Sequence, residues 1–231
     1  MNFFKKIYYE KYSKKSYSIS NVDLIIDRMF ANLKNGFYVD VGCNHPIKFN
    51  NTYLLYKRGW SGINIDLDSK SINEFKKLRP KDYNVKKVVS SDEEIKDIYF
   101  YHERSAINTL SKELVDFRKT KPKEIFKEKS STLNKIIEDS PFKNKKINLI
   151  SIDIENHEYE ALKDFNFSEY KVDVIVVEFT DLNQQKLEIY NQSLESVVKS
   201  KIYNLLINRN YKLINWVNSD LIFARNDFEI Q

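Results

Sequence analysis

The sequence predicts an α/β protein whose core is a doubly wound, mostly parallel seven-stranded sheet with an antiparallel C-terminal hairpin. Short apolar segments, such as residues 37–41 and 63–67, lack the polar alternation of half-exposed strands and fit strands that are buried on both faces. These segments alternate with stretches of helical spacing, which is the order of βα units. Near the C-terminus, two apolar segments flank a short turn that contains Asn218 and Ser219, which favours a hairpin.

The elements follow in order along the chain. Apolar spacing in the first half predicts a helix, two crossover helices, a third strand and an aromatic strand at residues 22–33, 52–57, 71–78, 84–90 and 99–101. The second half predicts helices at 131–139, 158–163 and 194–207 and strands at 147–154, 172–179, 211–217 and 221–225. Between these halves we expect a polar loop over a crevice at 103–109. Residues 111–129 are interpreted as a charged lid or substrate-facing insertion, with a solvated helix as the alternative.

Length and composition favour one domain without a membrane span. We expect a single domain over residues 36–231 and a basic, helical leader over residues 1–35 that packs on it. No apolar segment approaches the about 20 residues that a membrane helix requires, and Lys5 and Lys6 interrupt the only candidate for a signal peptide. Cys43 is the single cysteine, so we expect a reducing compartment, the cytoplasm.

The formal net charge of +5 is concentrated at the N-terminus. Residues 1–20 hold five lysines and one glutamate, a net +4, which leaves +1 for the rest of the chain. Such a leader is compatible with contact to an anionic membrane or to nucleic acid. We favour a solvated helix whose aromatic face packs on the domain. No nucleic-acid partner is expected, and peripheral membrane contact stays an open alternative.

Residues 37–68 predict half of a nucleoside-binding crevice. Gly42 follows the first strand and permits a sharp turn at its carboxyl end. The next strand ends at Asp66, where a carboxylate can accept hydrogen bonds from two ribose hydroxyls. The implied ligand is an adenosine compound.

The missing glycines indicate which adenosine compound this is. A dinucleotide site requires GxGxxG so that a pyrophosphate can bind backbone N–H groups. Here Asn44 and Ile47 hold the second and third glycine positions, and the phosphate-binding pattern GxxxxGK[ST] is absent. Asp40 beside the turn would repel a pyrophosphate but suits an ammonium group and a sulfonium. S-adenosyl-L-methionine has both groups and is the predicted cofactor.

A second cluster of polar residues follows another buried strand. Asp153, Glu155 and His157 come at its carboxyl end, the edge where open α/β sheets bind ligands. Strand alternation predicts that all three side chains lie on one side. Two acids and an imidazole can bind a divalent cation or remove a proton from a hydroxyl. The alternative is that Glu155 or Asn156 only begins the next helix.

Four motifs in a fixed order resemble FkbM-type S-adenosylmethionine-dependent methyltransferases. They are DVGCNHP at 40–46, NTYLLYKRGWSGINID at 51–66, SSD at 90–92, and LISIDIENHE at 149–158 with VIVVEF following at 174–179. The resemblance covers residues 36–225. The family's fourth motif usually reads IDVEGHE, so Asn156 stands where glycine is usual. The resemblance implies a class I methyltransferase fold and methyl transfer to an acceptor oxygen, often on a sugar of a surface glycan or secondary metabolite.

The resemblance also implies which residues contact the cofactor. The methionine part of the cofactor is lined by Asp40, Gly42, Asn44 and His45. Asn51 and Thr52, at the start of the following helix, close that side. Asp66 binds the ribose, Ser90 and Ser91 flank the adenine, and Asp153 faces the amino-acid end or the acceptor. For Asn51 and Thr52, a helix cap remains the alternative.

A sugar hydroxyl is a weak nucleophile, so methyl transfer requires positioning and either a general base or a metal. His157 is the predicted base because histidine titrates near neutrality, with Glu155 as its orienting partner or substitute. His45 competes for this role, although a wall residue that only forms hydrogen bonds is the simpler interpretation. His102 is the least favoured candidate.

Several questions stay open at this point. A divalent cation held by Asp153, Glu155 and Asp181 is possible because acids at one sheet edge supply oxygen ligands, but no metal is predicted. The predicted acceptor is a sugar or a glycolipid intermediate. The alternatives are nucleic-acid methylation, suggested by the leader, and a non-catalytic cofactor-binding scaffold of a glycan pathway, suggested by Asn156. The sequence leaves the oligomeric state open.

Overall fold

A computed structural model describes residues 13–182 and 193–229. Residues 1–12, which carry three of the five lysines of residues 1–20, lie outside the described residues. The helices are α1 (Val22–Met29), α2 (Tyr53–Lys57), α3 (Ser69–Leu78), α4 (Lys112–Phe117), α5 (Leu133–Glu138), α6 (Glu158–Leu162), α7 (Phe167–Tyr170), α8 (Leu194–Lys199) and α9 (Lys201–Asn208). The strands are β1 (Phe37–Val41), β2 (Ser61–Asp66), β3 (Tyr83–Lys86), β4 (Val88–Val89), β5 (Ile95–Phe100), β6 (Glu124–Ser131), β7 (Leu149–Ile152), β8 (Val174–Glu178), β9 (Tyr211–Val217) and β10 (Asp220–Arg225).

The main sheet confirms the predicted fold class. It has seven strands in the order β3-β2-β1-β7-β8-β10-β9. Strands β3, β2, β1, β7 and β8 are parallel, and β10 runs antiparallel to both β8 and β9. Strands β9 and β10 form the predicted hairpin at the edge of the sheet. The strand order reverses between β1 and β7. A switch of this kind leaves a crevice at the carboxyl ends of the strands, where α/β proteins bind ligands.

Both faces of the sheet are covered, as strands without polar alternation require. All five residues of β1 are buried. On one face, Ile63, Ile150 and Ile175 belong to the larger apolar core. On the other face, α1 packs Phe30 against Trp60, with the ring centroids 5.1 Å apart. No helix in the described part of the chain is both long enough and apolar enough to cross a membrane.

A second, three-stranded sheet in the order β4-β6-β5 was not predicted. The expected strand at residues 84–90 divides, because β3 joins the main sheet whereas β4 pairs with β6. Residues 111–129, interpreted as a lid or insertion or else as a solvated helix, contain α4 and most of β6. Strand β6 escaped prediction because six of its eight residues, EIFKEKSS, are charged or serine, which hides the apolar alternation.

The predicted helix at 194–207 is two helices. Ser200 has extended backbone angles, φ −67° and ψ 150°, and its hydroxyl accepts a hydrogen bond from the backbone N–H of Tyr203. A serine in this conformation begins a new helix because its side chain satisfies one of the free N–H groups of the first turn. The bend turns α9 toward β9.

Candidate active site

The first cavity lies at the carboxyl ends of β1 and β2, at the reversal of strand order. Its lining includes Gly42, Asn44, Asp66, Val88, Asp153 and Glu155. Four of these six residues were predicted as cofactor contacts, and Glu155 was predicted as a catalytic residue. The geometry therefore brings the two informative segments of the sequence, residues 37–68 and 147–165, to one cavity.

Gly42 makes the close approach of these two segments possible. Its φ of 77° lies in the left-handed region, and a Cβ atom at this position would overlap the backbone carbonyl of Asp153. The backbone N–H of Asp153 also donates to the carbonyl oxygen of Val41 at 3.0 Å. Only glycine satisfies both the backbone angle and the contact.

Asp66 presents its carboxylate to the cavity. One carboxylate oxygen accepts the backbone N–H of Asn44 at 2.8 Å, and the other accepts that of Asp68 at 2.7 Å. Burial raises the pKa of Asp66 to about 6, although both hydrogen bonds act in the opposite direction. A carboxylate has about four acceptor positions. Asp66 therefore retains acceptor capacity for two hydroxyl groups of a bound ribose.

Asp40 and Thr52 lie behind the cavity wall rather than on it. The Thr52 hydroxyl donates to Asp40 at 2.6 Å, and Arg79 donates to the same hydroxyl at 2.8 Å. The amide of Asn50 donates to Asp40 at 3.0 Å, while its oxygen accepts the backbone N–H groups of Thr52 and Tyr53. Asn50, not Thr52, thus caps the start of α2. This buried network fixes the loop that carries Asn44.

His45 and Asn51 also support loops around the cavity. The Nδ1 atom of His45 accepts the backbone N–H groups of Ile47 and Lys48 at 3.0 and 3.1 Å. Burial lowers the pKa of His45. The amide of Asn51 donates to Ser151 at 3.2 Å. His45 is therefore a turn residue near the cofactor segment, and Asn51 connects the start of α2 to β7.

Of the three residues predicted to share one side, Asp153 and Glu155 come together, but His157 does not join them, because the chain leaves the strand at Ile152. Glu155 and Asn156 have φ values of 59° and 68°, in the left-handed region. Asparagine tolerates this conformation better than most residues other than glycine, which accounts for Asn156 at a position where glycine is usual. The turn sends the Glu155 and His157 side chains to different partners.

Glu155 is paired with Arg118, not with His157 as predicted. Arg118 donates to the Glu155 carboxylate and, at 2.9 Å, to the carbonyl oxygen of Ile107. The hydroxyl of Thr109 donates to the backbone carbonyl of Glu155 at 2.6 Å. Burial and the neighbouring Asp153 raise the pKa of Glu155 to about 7, and Arg118 opposes this rise. Glu155 therefore holds residues 105–110 over the first cavity.

His157 contacts one of the residues predicted to flank the adenine. Its Nε2 atom lies 3.1 Å from the hydroxyl of Ser90, which is buried, and Ser91 follows with a half-buried side chain. Burial lowers the pKa of His157 to about 4, so the ring is neutral at neutral pH. His157 lines a second cavity, next to the first, together with Asn156, Tyr159, Glu178, Phe179 and Lys201.

Three carboxyl groups meet between the two cavities. Asp153, Glu155 and Glu178 each place one oxygen within 4.8 Å of the others, and Asp153 lines the first cavity. Burial raises the pKa of Asp153 to about 6 and that of Glu178 well above the ordinary value. Sequence reasoning named Asp181 as the third acid. The third acid is instead Glu178, the last residue of β8. It is the glutamate of the VIVVEF motif, which could have indicated it.

The predicted loop over the crevice is present, and it supplies site residues that sequence reasoning missed. Ser105, Ala106, Asn108 and Leu110 line the first cavity opposite Asp66. Asn108 anchors the loop because its amide oxygen accepts the backbone N–H of Tyr101 at 2.8 Å. Lys87, Val88 and Val89 complete the wall and were also missed. The sequence placed them within the third strand, predicted at 84–90, and gave no sign that they line the site.

A seven-stranded sheet of this order, with a cavity at the switch point and an acid at the end of β2, defines a class I S-adenosylmethionine-dependent methyltransferase. The family model described as "Methyltransferase FkbM domain" matches residues 40–213, and the chain belongs to this family. The family implies binding of S-adenosylmethionine.

Several solved structures are similar to this chain, among them the two that follow, and no curated protein matches it. A TehB-like SAM-dependent methyltransferase from Corynebacterium glutamicum has 12% identity and a TM-score of 0.44, and the alignment covers 97% of this chain and 96% of that chain. Monomeric WbdD has 12% identity and a TM-score of 0.41, with coverage of 89% and 40%.

Proposed function

We propose that this protein transfers the methyl group of S-adenosylmethionine to a hydroxyl group of a sugar, in a glycan or glycolipid intermediate. The observation that carries the proposal is the position of Asp153. Its carboxyl group faces the first cavity and lies beside Glu178, which lines the second cavity. A base at the junction of a cofactor cavity and a second cavity is what methylation of a hydroxyl requires.

In this proposal the cofactor occupies the first cavity. Asp66 accepts the ribose hydroxyls, and Val88 and Val89 offer an apolar wall to the adenine. Gly42 and Asn44 form the turn beside the methionine part, which Asp40, Thr52 and Asn51 support from behind. Ser90 and Ser91 come directly after the adenine wall. The Ser90 hydroxyl forms a hydrogen bond with His157.

The transfer step needs little beyond geometry and a proton acceptor. A sulfonium methyl group is already activated, so the protein must hold the acceptor oxygen in line with the C–S bond. Asp153 is the proposed base, because a carboxyl group with a pKa of about 6 is ionised at neutral pH and still accepts a proton readily. His157, with a pKa of about 4, is a weaker base.

The second cavity suits a sugar. Tyr159 and Phe179 offer aromatic surfaces, and Asn156 and Glu178 offer polar groups between them. Saccharides combine apolar ring faces with hydroxyl edges, so a lining of both kinds is complementary to them. This mixed lining supports a carbohydrate acceptor.

Calorimetry and turnover test the proposal in two stages. Titration with S-adenosylhomocysteine should show binding, and Asp66→Asn should weaken it by more than about tenfold, or 1.4 kcal/mol. The matched control is Asp97→Asn, since Asp97 lies on β5 with a half-exposed side chain and should leave the affinity unchanged. Absence of binding to the intact protein would contradict the proposal.

The second stage identifies the acceptor group. The protein is incubated with methyl-labelled S-adenosylmethionine and a panel of oligosaccharides, lipid-linked saccharides and oligonucleotides. We expect label in a saccharide, with an O-methyl signal in its NMR spectrum. Label confined to nucleic acid or to nitrogen would replace the proposal with another acceptor class, and cofactor binding without turnover would favour the scaffold.

A further inference from the structure

Asp153 and Glu178 leave the main sheet side by side. Strands β7 and β8 are parallel with Ile152 paired to Val177, so the residues that follow this pair are neighbours at the carboxyl edge of the sheet. Glu178 therefore reaches the carboxyl group of Asp153 from the adjacent strand, and the two oxygens lie within 4.8 Å. The contact depends on strand register and not on a flexible loop.

The surroundings of Glu178 do not suit a negative charge. Its Oε2 atom is buried and has no hydrogen-bond donor among the described residues. The titratable groups that act on it are all acids, namely Asp153, Glu155 and Glu158. Arg118, the cation bound to Glu155, donates its hydrogen bonds to Glu155 and to the carbonyl oxygen of Ile107.

A buried carboxylate without a donor or a counter-ion is strongly unfavourable, and binding a proton removes the penalty. A protonated carboxyl group is a hydrogen-bond donor, and the Asp153 carboxylate is the acceptor beside it. Two carboxyl groups joined by a hydrogen bond share one proton, because one of them must donate it. Burial and the charge of Asp153 together raise the pKa of Glu178 well above its ordinary value.

We propose that Glu178 is a positioning residue of the methyl transfer: it keeps its proton at neutral pH and donates it in a hydrogen bond that holds the Asp153 carboxylate toward the acceptor hydroxyl. The proposal rests on the proposed function. In the step itself, the hydroxyl oxygen attacks the methyl carbon, and the C–S bond breaks with its electron pair going to sulfur. The hydroxyl proton passes to Asp153, and Glu178 retains its own proton throughout.

The donor is needed because Asp153 lies among acids from every neighbouring strand. The acids whose charges raise the pKa of Asp153 are Asp220 on β10, Asp40 on β1 and Asp66 at the end of β2, whereas the hydrogen bond with Glu178 on β8 lowers it. The charges of these three acids favour protonated Asp153, which cannot act as a base. A hydrogen bond from Glu178 favours ionised Asp153, so loss of the donor should raise the pKa of Asp153.

Two substitutions of similar size separate this role from that of a charged residue. Glu178→Gln keeps a neutral donor beside Asp153, and Glu178→Met removes the donor while filling the same space. The measurement is kcat as a function of pH, together with the dissociation constant of S-adenosylhomocysteine for each variant. We expect Glu178→Gln to retain kcat within about threefold and Glu178→Met to lose more than about tenfold. In the methionine variant the acidic limb of the profile should move to higher pH.

The two measurements keep the outcomes distinct. If Glu178→Gln falls as low as Glu178→Met, or if turnover depends on a divalent cation that Glu178→Gln no longer binds, Glu178 acts as a charged group and the inference is overturned. An unmoved acidic limb in Glu178→Met also overturns it. Failure of the wild-type protein to turn over any acceptor would instead refute the proposed function, and unchanged cofactor affinity excludes misfolding as the cause of lost turnover.

Discussion

Gly42 and Asp153 are in direct backbone contact, and this contact joins the cofactor turn to the turn that carries the proposed base. A side chain on Gly42 would overlap the carbonyl group of Asp153, whose own N–H donates to Val41. The shape of the cavity thus depends on a backbone contact between two chain segments that are more than a hundred residues apart in sequence.

Gly42→Ala should abolish binding of S-adenosylhomocysteine and lower the free energy of unfolding by roughly 2–4 kcal/mol, because it adds both backbone strain and a steric overlap. Urea unfolding and calorimetry measure the two effects. Gly59→Ala is the matched control: Gly59 also has a positive φ, of 97°, but the nearest atom to a new Cβ would be 3.8 Å away. It should lose only about 1 kcal/mol. Equal losses in the two variants would argue against the contact.

Turnover should rise with pH through about 6 and then level off, because Asp153 must be ionised to accept the hydroxyl proton and its pKa is about 6. Asp153→Asn should lower kcat by about 10²–10⁴-fold, the usual contribution of a general base. Affinity for S-adenosylhomocysteine should change far less than kcat. A full-activity Asp153→Asn variant would remove Asp153 from this role.

The cofactor half of the site could be predicted because its signals are local. The strand before Gly42 is apolar throughout, glycine marks the turn, and Asp66 ends the next strand. Each feature can be found within a short window of sequence. The sheet order then follows from the general rules for βα units.

The remaining features depend on contacts between distant segments. Arg79 supports the loop before α2 through Asn50 and Thr52, and nothing in the sequence around Arg79 indicates that. Arg118 lies in a charged segment whose composition indicates exposure to solvent, yet its side chain is bound to Glu155. The second sheet was missed for the same reason, since the partner of β4 is about 40 residues away. Tertiary packing decides these roles.

Arg118→Met should loosen residues 105–110 over the cofactor. The Arg118 and Glu155 side chains are only 12% and 15% exposed, so removal of the cation leaves a poorly solvated acid. We expect the free energy of unfolding to fall by about 2 kcal/mol, below the value for fully buried pairs. Hydrogen exchange at 105–110 should accelerate, and S-adenosylhomocysteine should bind less tightly. Arg28→Met, at an exposed position on α1, is the control and should change neither.

Stability should fall as pH rises from about 6.5 to about 8. Burial raises the pKa of Glu155 to about 7 and that of Glu158 to about 8 in the folded protein, so in this range the folded chain binds more protons than the unfolded chain. His157 acts in the opposite direction only below its ordinary pKa of 6.5. A decrease of roughly 2–4 °C in Tm corresponds to about 1 kcal/mol in a chain of this size. Glu158→Gln should flatten the dependence, and an unchanged slope would refute this explanation.

His157→Gln should lower kcat by less than about fivefold, which separates it from Asp153→Asn. Burial lowers the pKa of His157 to about 4, so its imidazole is a weak base. Its Nε2 atom already lies beside the Ser90 hydroxyl. Glutamine can keep a hydrogen bond to the Ser90 hydroxyl, whereas His157→Ala removes it and should weaken cofactor binding more than turnover at saturation. The decisive measurement is the acidic limb of the pH profile, which should stay near pH 6 in both variants because it belongs to Asp153. If the limb disappears in His157→Gln and persists in Asp153→Asn, the imidazole is the base, and Asp153 and Glu178 only shape the acceptor site.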